Sequence, residues 1–193
     1  MKGVSLAVNY CGVKLNELVS NTELNYLEIG CFDGCNLKTL ADSFPNKTIY
    51  GIDPFISDGN LGTDKPIGSR LFQQESNLYE NIKDSKNINF YKTTSELFYK
   101  NPPKTFEDMN ISCIFIDGAH ILSFIKIDVE LAVECILKNK NKKGEILFDD
   151  LHIPDVLKGI EYLEQYCWQK YTLDKSLSLV KYKPGYFGLK SLQ

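Results

Sequence analysis

The sequence contains no apolar run near the roughly 18 residues that a membrane-spanning helix needs, so no span is expected. Met1 to Tyr10 holds one lysine in a short mixed stretch, without a hydrophobic core segment or cleavage site, so no signal peptide is expected. There is no basic excess: 22 Lys and Arg stand against 25 Asp and Glu, a net charge of -3. That balance argues against a broad nucleic-acid surface. No repeat or low-complexity linker divides the 193 residues, so one domain spanning 1–193 is expected. The six cysteines (Cys11, Cys31, Cys35, Cys113, Cys135 and Cys167) form no C-x-x-C pair. Cys31 and Cys35 have no second pair nearby to complete a zinc site. Free thiols in a reducing cytoplasm are the expected state. Histidine is scarce, with only His120 and His152.

The one dense basic run is Lys138, Lys140, Lys142 and Lys143. It reads as a solvated helix end, where cations favour the negative pole of the dipole. Elsewhere, short β-like runs alternate with helix-like stretches, the pattern of an α/β fold with a parallel sheet. The expected strands are Asn25–Ile29, Thr48–Ile52, Asn87–Tyr91, Ser112–Ile116 and Glu145–Phe148. Helices are expected over 11–20, Cys35–Ser43, Ser69–Lys83, 122–139 and 154–168. The 122–139 helix turns Ile125, Val129, Ala132, Val133 and Ile136 inward at helical spacing. Residues 1–24 form an N-terminal helical segment, and the glycine-rich stretch over 54–70 reads as a lid-like loop. Leu177–Lys183 and Tyr186–Lys190, joined at Pro184-Gly185, read as an antiparallel hairpin.

"YLEIGCFDGCN" places Glu28, Gly30 and Gly34 at the end of the first strand. Ligands of open α/β sheets bind beyond the carboxyl ends of strands, and glycine there admits close backbone approach. A dinucleotide cradle would need G-x-G-x-x-G, whereas this chain has E-x-G-x-x-x-G. A carboxylate at Glu28 suits an ammonium group better than a phosphate. Asp53 ends the second strand in "IYGIDPF", where an acidic side chain can accept hydrogen bonds from both ribose hydroxyls. The bland alternative is a structural turn beside a solvated aspartate.

In "IFIDGAH" and "EILFDDLH", two neighbouring strands end in Asp117, Asp149 and Asp150, with His120 and His152 just beyond. Carboxylates this close repel one another unless a cation lies among them, and such oxygen ligands suit Mg²⁺ or another hard divalent ion. The metal-free alternative has Asp117 touching the cofactor and Asp149 bracing the loop before Pro154.

The order E-x-G-x-x-x-G, then a strand ending in Asp, resembles motifs I and II of class I S-adenosylmethionine-dependent methyltransferases, over about Tyr26 to Lys190. The "IDGAH … DD" pair resembles the metal-dependent small-molecule O-methyltransferase branch, including macrocin O-methyltransferase, cephalosporin-hydroxylase-like and catechol O-methyltransferase-like proteins. The resemblance implies a Rossmann-like, doubly wound, seven-stranded, mostly parallel sheet ending in an antiparallel hairpin. It implies S-adenosyl-L-methionine as cofactor, bound around Glu28, Gly30, Cys31, Phe32, Gly34, Asp53 and Asp117. Thr94 and Ser95 of "YKTTSEL" are the nearest matches to the adenine-side segment, although family members often have glycine at the position of Thr93. Asp117, Asp149 and Asp150 would be metal ligands. Catechol-type enzymes place a lysine base three residues after the first aspartate; this chain has His120 there, with His152 as a second candidate.

The expected activity is methylation of a small-molecule or sugar hydroxyl, without a nucleic-acid or membrane partner. Phe55, Tyr186 and Phe187 are candidate acceptor-lining residues. Members of this branch often dimerise, so a homodimer is compatible with the reading. The competing readings are a metal-free methyltransferase, a nicotinamide-binding oxidoreductase and a non-catalytic cofactor-binding module.

Overall fold

The computed structural model describes residues 24–56, 67–171, 177–179 and 190–191, with side chains over 24–56 and 73–167. The expected helix over 11–20, most of the lid-like loop and the Pro184-Gly185 turn lie outside the described residues, as do Tyr186 and Phe187.

Five parallel strands form the framework: β1 (Asn25–Ile29), β2 (Ile49–Ile52), β3 (Ile88–Tyr91), β4 (Ile111–Ile116) and β5 (Gly144–Phe148). Their spatial order is β3-β2-β1-β4-β5. β1 pairs with β2 on one side and β4 on the other, so the winding reverses between β1 and β4. In an open α/β sheet this reversal opens a crevice at the carboxyl ends of the strands.

Helices cover both faces. Leu27, Ile29, Ile114, Ile116, Ile146 and Phe148 face a cluster shared with α5 (Leu122–Lys138) and α6 (Pro154–Tyr171). The alternate residues Tyr26, Cys113, Phe115 and Leu147 face the cluster of α1 (Cys35–Ser43) and α2 (Ile67–Ile82). The strand period of two thus sends neighbouring residues into separate cores. All six residues of β4 are buried, as a strand covered on both faces requires. The anticipated stripe of α5, from Ile125 to Ile136, is buried throughout. The lysines at and beyond its end are exposed, as expected of a solvated helix terminus.

Two short helices were not anticipated: α3 (Ser95–Lys100) and α4 (Phe106–Met109). Both have a threonine N-cap, Thr94 accepting from Leu97 N and Thr105 from Asp108 N. The Thr105 hydroxyl also donates to Asp108 Oδ2 at 2.8 Å, a second bond between the cap and the first turn. Asn139 fixes the turn from α5 into β5. Its buried amide donates to Ile111 O at 2.7 Å and Lys143 O at 2.9 Å, and its Oδ1 accepts from Asn141 N at 3.0 Å.

Two further backbone segments continue the sheet beyond β5. β6 (Leu177–Leu179) runs parallel to β5, and β7 (Lys190–Ser191) runs antiparallel to β6.

Candidate functional site

The five parallel strands end level with one another. Asp53 N donates to Tyr91 O, Gly30 N to Ile52 O, Asp117 N to Ile29 O and Asp149 N to Ile116 O. The first residue beyond each strand is thereby tied to the last residue of its neighbour. That ladder brings the five tips into one row.

Gly30 joins two of these tips. Its φ is +86°, and a Cβ there would lie 2.2 Å from Asp117 O. No side chain fits between these backbones, so the β1 turn and the β4 tip meet directly. Gly34 also has a positive φ, +74°, and opens α1 against Leu78 of α2.

Glu28 is buried to 1% exposure on β1. Its Oε1 accepts from Asn36 Nδ2 at 2.9 Å, while its buried Oε2 has no hydrogen-bond partner. Burial pushes its pKa up to about 8, against the opposing pull of the Asn36 hydrogen bond. A buried carboxyl with one unsatisfied oxygen is suited to receive a cationic donor. Asn36 was not anticipated; its eight-residue spacing from Glu28 offers no recognisable motif.

Asp53 holds the β1 turn from the neighbouring strand. Its Oδ2 accepts from Cys31 N at 2.9 Å and Phe32 N at 3.1 Å, and its Oδ1 accepts from Phe55 N at 2.7 Å. Burial raises its pKa, and these three backbone donors oppose the rise. Cys31 is buried, with Sγ 3.5 Å from Ile52 O, whereas Phe32 is exposed with φ +50°. Phe55 packs on Phe90, with ring centroids 6.0 Å apart.

Thr94 and Ser95 follow β3, but Thr94 is occupied as the cap of α3. The Ser95 side chain hydrogen-bonds Asp128, a buried carboxyl on α5 that the sequence reading did not single out. Burial raises Asp128 to about 7, with Ser95 opposing the shift. One Asp128 oxygen lies 3.3 Å from where a Cβ on Gly118 would stand, placing this carboxyl behind the β4 tip. Its position inside an apolar helix stripe is the sequence signal that marks it.

At the β4–β5 edge, Asp117, His120 and Asp150 each turn a ligand atom into one group, all within 4.8 Å of one another. His120 Nε2 stands 3.0 Å from Asp150 Oδ2, and His152 Nδ1 stands 3.6 Å from Asp150 Oδ1. Asp149 shares the edge but lies outside that group; its Oδ1 accepts from Asp150 N at 2.8 Å. Burial raises the Asp117 pKa, followed in effect by the negative charges of Asp149 and Glu28. Burial also raises Asp149, whereas the hydrogen bond with His120 lowers Asp150. His120 is half-buried and His152 is exposed.

No family model matches the chain, and no curated protein matches it. Solved structures share its fold. A precorrin-6y C5,15-methyltransferase from Geobacter metallireducens is 15% identical with a TM-score of 0.55, covering 93% of this chain and 82% of its own. The O-methyltransferase TomG from Streptomyces achromogenes, solved with S-adenosylmethionine, is 14% identical with a TM-score of 0.53. That alignment covers 91% of this chain and 75% of TomG. The fold is therefore the Rossmann-like α/β fold seen in methyltransferases, built on a five-stranded parallel sheet.

Proposed function

We propose that the protein binds S-adenosyl-L-methionine at the β1–β2 tips and transfers its methyl group to a small-molecule or sugar hydroxyl beside β4 and β5. The carrying observation is Glu28, on β1 at the switch point, whose buried Oε2 has no hydrogen-bond partner. The cofactor's amino-acid ammonium supplies the missing donor. Gly30 keeps the β1 turn against the β4 tip beside the Glu28 carboxyl, and Asp53 stands at the β2 tip for the ribose. Asp53 already holds three backbone N–H groups. Ribose hydroxyls therefore use its remaining lone pair or displace a turn contact.

The reaction breaks the sulfonium–methyl bond and forms a methyl–oxygen bond, while the hydroxyl proton passes to a base. His120 and His152 are the candidate bases, both flanking Asp150. Much of the rate advantage comes from holding donor and acceptor in line. A divalent cation among the acidic residues at Asp117, Asp149 and Asp150 would lower the acceptor's pKa and orient it. The donor set fits such an ion, because Asp117 and Asp150 converge there with His120.

The β6–β7 pairing supports the proposed C-terminal hairpin. Ser178 opposite Ser191 and Leu179 opposite Lys190 lie equally far on either side of the Pro184-Gly185 step.

Isothermal titration with S-adenosylhomocysteine and NADH tests the cofactor reading. Binding of the first alone is expected; binding of NADH alone would select the oxidoreductase alternative. Cofactor binding without methyl transfer to polyhydroxylated acceptors would select a non-catalytic module. Methyl transfer that survives chelation would select the metal-free enzyme.

A further inference from the structure

We infer that His120 is a ligand of the ion, together with Asp117 and Asp150, and that the site selects a nitrogen-tolerant transition ion such as Co²⁺ over Mg²⁺. This rests on the cation part of the reading above and departs from its all-carboxylate ligand set.

The first support is geometric. Two atoms bound about 2.1 Å from one ion in adjacent octahedral positions lie about 3 Å apart. His120 Nε2 and Asp150 Oδ2 stand at 3.0 Å, and Asp117, His120 and Asp150 gather one ligand atom each within 4.8 Å of one another. The second support is Asp117 itself. Its carboxylate is half-buried, and no described donor hydrogen-bonds to it. Three other aspartates of the site, Asp53, Asp149 and Asp150, accept backbone N–H groups or a histidine contact. A half-buried carboxylate grouped with an imidazole and a second carboxylate gives an ion a charged, mixed N/O set.

The imidazole decides the ion class. Mg²⁺ holds its waters and favours oxygen, whereas imidazole suits later first-row ions, whose affinity rises from Mn²⁺ towards Cu²⁺. Asp149 lies outside the group, and its Oδ1 accepts from Asp150 N, holding the backbone that presents Asp150. The proton acceptor is then His152, exposed on the solvent side of Asp150.

The test uses the full chain stripped with a chelator and titrated calorimetrically with Co²⁺ or Mg²⁺ alone. Co²⁺ is expected to bind about 100-fold more tightly than Mg²⁺. H120Q should lose about 30-fold or more in Co²⁺ affinity and little in Mg²⁺ affinity, and H120N should behave alike. Equal affinity for the two ions, full Co²⁺ affinity in H120Q, or no ion binding would each overturn the inference. S-adenosylhomocysteine is titrated into the same samples. Its binding to H120Q certifies that variant's fold, and its failure to bind the parent protein sinks the cofactor reading without touching the ion result.

Discussion

Asn36 donates to Glu28 Oε1 at 2.9 Å, and the same buried carboxyl keeps Oε2 without a partner. One side chain from α1 thus satisfies half of a carboxyl on β1, leaving the other half for a ligand. That division has consequences for proton binding. Burial moves Glu28 from 4.5 to about 8. Between those values the folded chain keeps a proton that the unfolded chain has released. Stability therefore falls as pH rises through the window and levels off above it.

Binding of an ammonium-bearing cofactor should favour ionised Glu28 and release a proton near pH 7. Calorimetric heats in buffers of different ionisation enthalpy should differ accordingly. E28Q should abolish that dependence and weaken S-adenosylhomocysteine binding about 10- to 100-fold, or 1.4–2.8 kcal/mol. Buffer-independent heats in the parent protein would remove Glu28 from the ammonium site.

Asp53 is expected to serve the turn before any ligand arrives. D53A removes the acceptor of three backbone N–H groups at Cys31, Phe32 and Phe55. Urea denaturation should show a loss of about 1–3 kcal/mol even without cofactor. D53N should recover part of it through its remaining carbonyl oxygen. An unchanged midpoint in D53A would mean that the turn does not depend on this carboxylate.

Gly30 tolerates no side chain. G30A combines a positive φ with a Cβ placed 2.2 Å from Asp117 O, so the β1 and β4 tips must part. A loss of about 3 kcal/mol or more is expected, with cofactor binding lost as well. Near-parental stability and affinity in G30A would show that the tips are not in contact.

Asp128 predicts a second pH-dependent signature, independent of any ligand. Burial lifts it from 3.8 to about 7, so its contribution to stability is greatest at low pH and declines as pH rises between those values. D128N should flatten this part of the pH profile and raise the melting temperature more at pH 8 than at pH 5. S95A should lower stability at pH 8 by removing the hydrogen bond that favours the ionised form. A D128N profile parallel to the parent's would show that Asp128 does not titrate in this window.

The sequence carried the strands well because each strand is a short apolar run between turn residues. β1 and α1 fall at the expected Asn25–Ile29 and Cys35–Ser43. Other boundaries moved by one or a few residues: β4 begins at Ile111 rather than Ser112, and α2 at Ile67 rather than Ser69. The miss over 95–109 has a physical reason. Helices of six and four residues are too short to show an apolar period, so only their threonine caps announce them.

Composition and period alone determined that this chain alternates strands with helices and that glycine and acidic residues follow its strands. Local spacing carries that information, because side-chain direction repeats every two residues in a strand and about every 3.6 in a helix. Only the tertiary structure decided which acidic groups meet. It paired Glu28 with Asn36, Asp128 with Ser95, and drew His120 into one group with Asp117 and Asp150. These partners come from different elements, and their distances depend on how the parallel strands end in register, which no local spacing encodes.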